Sequence, residues 1–204
     1  MLSPDARNAI LESARTVELH GAATPQTSYT AMLASPALRE REAILSVTSS
    51  ARLPQVRALA GDPILVDVVA GYLGYTPERV SSWLFWSPRN QLTHAEREAR
   101  FQTVGFHYDV HGLNFLYVNF YITDVDRQSG AHVLIEGSHR GKRLRQLFGT
   151  AKVTDSEATR RYGPGRIKCI EGPAGSGFFE DASCYHKALA PLSNDRLMLQ
   201  LRYQ

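Results

Sequence analysis

Two side chains able to hold a metal ion stand two residues apart at His107 and Asp109. On an extended strand this spacing puts the imidazole and the carboxylate side by side on one face. A second histidine brought up from elsewhere would complete a 2-His-1-carboxylate set, which leaves three positions of an octahedral ion open and is diagnostic of non-heme iron(II) oxygenases. Alone the pair is weak evidence: with seven His and nine Asp in 204 residues, roughly 0.3 such pairs arise by chance. His111 competes as a ligand, being two residues beyond Asp109, but Gly112 follows it and the strand is expected to turn away there.

The surrounding sequence supplies elements that could position such a pair. From about Val80 onward, short β-branched and aromatic runs are split by Gly, Pro, Asn and Asp, which is strand and turn chemistry. Strands are predicted over 80–86, 103–109, 115–123, 132–136, 167–171, 177–180, 184–188 and 197–203, and many short strands point to a sandwich or barrel. In the third, Leu116, Val118, Phe120 and Ile122 alternate with Tyr117, Asn119, Tyr121 and Thr123. One face is therefore apolar and the other offers aromatic and hydrogen-bonding groups. A sheet covered by helices outside and lining a polar cavity inside accounts for both faces.

Those helices are expected upstream, where a small polar residue followed by proline recurs at Ser3-Pro4, Ser35-Pro36, Asp62-Pro63 and Thr76-Pro77. The first helix should end at Gly21. The apolar run from Ile64 to Leu73 should form a central helix buried on most sides. Length and a hydrophobic content of 43% suit one domain over 1–204. It divides into a mostly helical layer over 1–79 and a β core over 80–204, with a basic insert at 140–168. The two cysteines and the lack of a readable leader or membrane span suggest a cytoplasmic protein without a membrane partner. Its formal charge of +3 names no nucleic-acid partner.

The stretch from Gly105 to Arg140, with Phe106-His107-Tyr108-Asp109, Thr123-Asp124-Val125-Asp126, Gly130 and Gly137-Ser138-His139, resembles the phytanoyl-CoA dioxygenase family. Gly177-Phe178-Phe179-Glu180-Asp181, Tyr185-His186, Pro191 and Asp195-Arg196 extend the resemblance in the family's order and spacing. It implies a double-stranded β-helix, a jelly-roll barrel of the cupin type, with Fe(II) held by His107, Asp109 and His186. It also implies 2-oxoglutarate as cosubstrate, split with O2 into succinate and CO2 while a C–H bond of a small-molecule substrate is hydroxylated. Related halogenases vacate the carboxylate position, which Asp109 fills here.

Arg196, ten residues after His186, is the implied partner of the 2-oxoglutarate carboxylate, a planar two-pronged donor suited to it. Met198, Gln200 and Arg202 share its phase, which makes Arg202 the fallback. Many relatives carry a hydroxyl residue where Ala188 stands, so Asn119, Tyr121 or Tyr117 is expected to assist. Trp83, Phe85 and Trp86 could stack on substrate, Trp86 being the candidate taken forward, although aromatics in a strand next to a helix layer are more often core. His132 and His139 read as structural, and Cys184 as a small buried hydrophobe. The 140–168 insert has nine basic residues against Asp155 and Glu157. Through Arg160 and Arg161 it is expected to guide an anionic substrate. A cupin-like metalloprotein without 2-oxoglutarate would give Arg196 no role, and a non-catalytic ligand-binding barrel would tolerate a damaged triad.

Overall fold

The computed structural model describes residues 1–110, 114–140, 142 and 152–204. The proline-led starts behave as expected at three of four places. Helix α1 (Pro4–Thr16) is capped by Ser3, whose side chain accepts from Ala6 N. After strand β1 (Leu19–Gly21) come α2 (Tyr29–Ala34) and α3 (Pro36–Arg39), the latter capped by Ser35, and then β2 (Leu45–Val47). Helices α4 (Pro54–Ala60) and α5 (Pro63–Leu73) follow, with Asp62 capping α5 through bonds from Ile64 N and Leu65 N. Thr76-Pro77 starts no helix and leads straight into β3 (Val80–Ser87).

Two expectations about this layer are corrected. Helix α1 stops at Thr16, and Gly21 instead lies in β1, where an added Cβ would sit 2.5 Å from the Glu42 carboxylate. That carboxylate accepts from Ala22 N and Ala23 N, so only glycine admits it so close to the chain. Helix α5 is peripheral: Val69 and Leu73 are buried, while Ile64 is 73% exposed and Val68 and Tyr72 also face outward.

The remaining elements are α6 (His94–Ala99), β4 (Leu116–Tyr121), β5 (His132–Ile135), α7 (Asp155–Tyr162), β6 (Ile167–Ile170), β7 (Gly177–Glu180), β8 (His186–Ala188) and β9 (Arg196–Tyr203). They build a six-stranded antiparallel sheet in the order β1-β2-β3-β9-β4-β7 and a three-stranded one in the order β6-β5-β8. This is the double-stranded β-helix with a helical layer. Residues 103–109, expected as a full strand, pair only through bridges at Phe106 and His107.

The alternation in β4 decides which face is which. Leu116, Val118 and Phe120 join Leu84, Trp86, Leu197, Leu199 and Leu201 against Ile10, Ala14, Met32, Val56 and Val69 of the helices. Burying each large side chain contributes about 1.5–3 kcal/mol, so this outer core anchors the large sheet. The opposite faces of β3, β4 and β9 are left to line the space between the two sheets. Among the described residues no helix is long and apolar enough to cross a membrane.

Candidate metal and cosubstrate site

Between the sheets lies a cavity of about 490 Å³, lined by His107, Asp109, His186, Arg196 and Arg202 among others. His107 and His186 are brought together by the backbone: each N–H donates to the other's carbonyl, at 3.0 and 2.7 Å. Asp109 N donates to Ala182 O at 2.9 Å and fixes the carboxylate one step further along. His107 Nε2 lies 3.6 Å from Asp109 Oδ1, and His186 Nε2 lies 3.9 Å from Asp109 Oδ2. One ligand atom from each of the three falls within 4.8 Å of the others. Bonds of about 2.1 Å at right angles separate cis ligands by about 3 Å, so the three side chains must draw somewhat closer to hold an ion.

The tautomers suit that role. His107 Nδ1 is 3.1 Å from Gly105 O and His186 Nδ1 is 3.0 Å from Cys184 O. A carbonyl can only accept, so each Nδ1 carries the proton and each Nε2 presents its lone pair. Burial, and then the neighbouring His186, push His107 down to about 4, which keeps its ring neutral near pH 7. Tyr117 OH donates to Asp109 Oδ2 at 3.1 Å. Its hydroxyl is pushed up by burial and by the Asp109 charge, so it remains a donor.

Beneath His186 is a buried polar cluster. Glu180, 2% exposed, faces His132 Nε2 at 2.6 Å, Asn119 Nδ2 at 2.8 Å and His186 Nδ1 at 3.6 Å. Burial alone would raise its carboxyl, but His132 and His186 opposite it, with the hydrogen bonds from His132 and Asn119, hold it down to about 2. The His132 and His186 rings stack with centroids 5.5 Å apart. His132, read from sequence as structural, thus lines the cavity as well. Neither it nor Glu180 was picked out in the sequence as a site residue. The signal for them was the polar face of β4, since a buried Asn119 requires a partner.

Arg196 is 2% exposed and donates to Gly130 O and, at 3.0 Å, to Ser87 Oγ. Gly130 has φ +91°, and an added Cβ would stand 3.2 Å from Leu189 O, so glycine is what lets this carbonyl turn toward the guanidinium. Arg196 Nε has no hydrogen-bond partner, and no carboxylate lies within ion-pair distance of its guanidinium among the described residues. Burial lowers its pKa, opposed by Tyr121. A buried charge without an ion-pair partner costs several kcal/mol, and the Gly130 carbonyl and Ser87 hydroxyl offset part of that here. Arg202 lines the same cavity from the far end of β9, opposite Tyr117 of β4, with its Nε also unpartnered.

Several expected residues lie elsewhere. Tyr121 OH donates to Ile170 O and accepts from His132 N, so both its capacities are spent on backbone. Asn119 is held by Glu180, and neither residue lines the cavity. Trp86 is on the outer face, stacked on Tyr29 at 3.9 Å and donating to Ala14 O. The inward-facing aromatics of β3 are Trp83 and Phe85, stacked on each other at 4.1 Å. Arg160 and Arg161 sit on α7 and do not line the cavity, with Arg161 over the Tyr162 ring at 5.2 Å. Cys184 Sγ lies 3.1 Å from His139 Nδ1, away from the cavity lining. His111 and much of the basic insert (141 and 143–151) lie outside the described residues.

No family model matches this sequence, and no curated protein matches it. Solved structures do. The alpha-ketoglutarate-dependent epimerase SnoN from nogalamycin biosynthesis is 18% identical, with a TM-score of 0.60 over 100% of this chain and 74% of its own. HygX from Streptomyces hygroscopicus, solved with nickel and 2-oxoglutarate bound, is 11% identical, with a TM-score of 0.62 over 99% of this chain and 79% of its own. EctD from S. alaskensis, solved with 2-oxoglutarate and 5-hydroxyectoine, is 19% identical, with a TM-score of 0.61 over 100% and 69%. At these identities the likeness establishes the fold.

Proposed function

We propose that this chain is a non-heme iron(II) oxygenase that consumes 2-oxoglutarate and O2, of the phytanoyl-CoA dioxygenase type, and hydroxylates a small molecule. The observation that carries this reading is Arg196, a buried guanidinium without a carboxylate partner among the described residues, facing the same cavity as three converging metal-ligand side chains. Buried Arg97 is likewise without a carboxylate among the described residues but lies off the cavity, whereas Arg196 faces it, where a dianionic cosubstrate would supply the carboxylate it lacks. SnoN, HygX and EctD, named for or solved with 2-oxoglutarate, support the same assignment.

In this reading His107, Asp109 and His186 hold the iron, which with 2-oxoglutarate supplies the means to oxidise an unactivated C–H bond. Arg196, positioned by its bond to Ser87 Oγ, receives the distal carboxylate. Tyr117 restrains the Asp109 carboxylate through its Oδ2. Glu180, Asn119 and His132 fix the plane of His186 from behind. Met198, Phe85 and Ile44 provide apolar walls that keep water from the reacting centre.

Calorimetric titration of 2-oxoglutarate into the protein tests the assignment. Binding should be tight with Ni(II) as an oxygen-inert metal, weak in its absence, and weakened in both cases by Arg196→Gln. Binding that ignores both the metal and Arg196 would reject it.

A further inference from the structure

The cavity holds a second arginine that a single cosubstrate cannot use. Arg196 and Arg202 are six residues apart on β9, a separation of about 20 Å along an extended strand. The two carboxylates of 2-oxoglutarate are only about 5 Å apart, being separated by four carbon–carbon bonds. If Arg196 receives the cosubstrate, Arg202 faces a different ligand. It stands toward the Asp109 side of the metal set, because it lies directly opposite Tyr117 across the β4–β9 pair, and the Tyr117 hydroxyl donates to Asp109. Among the described residues no carboxylate lies within ion-pair distance of Arg202, and its Nε is buried without a partner.

The neighbours of Arg202 are aromatic. Ser81 lies directly opposite it on β3 and Trp83 one step along, opposite Gln200, so indole and guanidinium share one face of the sheet. Trp83 is 38% exposed, is propped by Phe85, and is fixed in plane by its Nε1 donating to Ser46 Oγ at 2.7 Å. Trp83 and Arg202 make no cation–π contact with each other. Phe101 completes the rim. It is 78% exposed, and its backbone holds a left-handed φ of +63° that a residue with a Cβ rarely adopts. The strain is maintained by fully buried Arg97, which grips Gln102 Oε1 at 2.8 Å and Asn90 Oδ1 at 2.6 Å. Local strain of this kind collects at ligand clamps.

We infer that Arg202, Trp83 and Phe101 form the site for the substrate to be oxidised, and that this substrate is a small molecule with a flat apolar body and an anionic oxygen group, a carboxylate or phosphate. Arg202 binds the anion with Tyr117 beside it, and the two rings clasp the body, which places the intervening carbons toward His107 and Asp109. This rests on the assignment of Arg196 to 2-oxoglutarate.

The test uses Ni(II)-loaded protein saturated with 2-oxoglutarate and three probes: 2-naphthoate, 2-naphthyl phosphate and neutral 2-naphthol. Affinity is read by calorimetry and by quenching of Trp83, with buried Trp86 as the internal reference. At least one anion should bind about tenfold or more tightly than 2-naphthol, as a charge-assisted contact provides, and the tighter of the two anions identifies the group. Arg202→Gln should erase that preference while leaving 2-oxoglutarate affinity within about twofold, and Trp83→Ser should weaken all three probes alike. Equal binding of anions and naphthol, no binding of any probe, or an anion preference that survives Arg202→Gln overturns the inference. A large loss of 2-oxoglutarate affinity in Arg202→Gln also overturns it. Loss of 2-oxoglutarate binding by wild-type protein, with the naphthyl anion preference intact, would instead reject the cosubstrate assignment and leave this anion site standing.

Discussion

Replacing Glu180 with Gln probes the cluster behind His186 with a near-isosteric change. The wild-type carboxylate receives two charge-assisted hydrogen bonds, from His132 at 2.6 Å and Asn119 at 2.8 Å, at a position 2% exposed. An amide has one acceptor oxygen and no charge, so one of the two donors loses its charge-assisted acceptor, and His132 keeps a bond to the amide NH2 only by turning to its other tautomer. A hydrogen bond to a charged group contributes about 1.5–3 kcal/mol. Part of this is offset because a neutral amide is easier to bury than a carboxylate, leaving a net loss of about 2 kcal/mol. For a chain of this size 1 kcal/mol shifts Tm by about 2–4 °C, so metal-free Glu180→Gln should melt about 4–8 °C lower in calorimetry. Glu180→Leu abandons both donors and should cost about 3–5 kcal/mol. Affinity for Ni(II), measured by chelator competition, should fall about 10–100-fold in Glu180→Gln because the orientation of His186 is relaxed. A Leu variant more stable than the Gln variant, or an unchanged Ni(II) affinity in both, would refute this account of the cluster.

His107→Ala, Asp109→Ala and His186→Ala should each abolish stoichiometric metal binding while leaving far-UV circular dichroism unchanged, since none of the three belongs to the outer core; normal metal uptake by any of them would show the set misassigned. Arg196→Gln should weaken 2-oxoglutarate by about 2–4 kcal/mol in calorimetry, the cost of cutting a charge-assisted contact in a desolvated site, with Ni(II) affinity nearly unchanged. Trp86→Ala should destabilise the fold by about 3–5 kcal/mol, seen as a lower urea midpoint, without altering 2-oxoglutarate affinity, because its ring packs on Tyr29 away from the cavity.

Much of this arrangement was legible in the chain because alternation carries it. The two unlike faces of β4 announced a sheet with helices outside and a polar cavity within, and the outer apolar set is where that alternation puts it. His107 and Asp109 stand together as their spacing required. What escaped reading was what depends on register. Both faces of β3 are aromatic, so its sequence does not say which tryptophan faces in, and Trp83 rather than Trp86 lines the cavity. Glu180 on β7 and His132 on β5 belong to different sheets and meet only where the two sheets face each other. Strands β1 and β2 are three residues each, too short for a period to show. Helix α5 is apolar enough to read as buried, yet it packs against α4 and β4 with Ile64 and Val68 outward.

The central claim is that His107, Asp109 and His186 present an iron to 2-oxoglutarate within reach of Arg196. Anaerobic titration of the Fe(II)-loaded protein with 2-oxoglutarate, followed in the visible, tests it directly. The account predicts a weak charge-transfer band that grows to saturation with stoichiometric cosubstrate and is absent in His186→Ala. Folded, iron-loaded protein that shows no such band at saturating 2-oxoglutarate would contradict it.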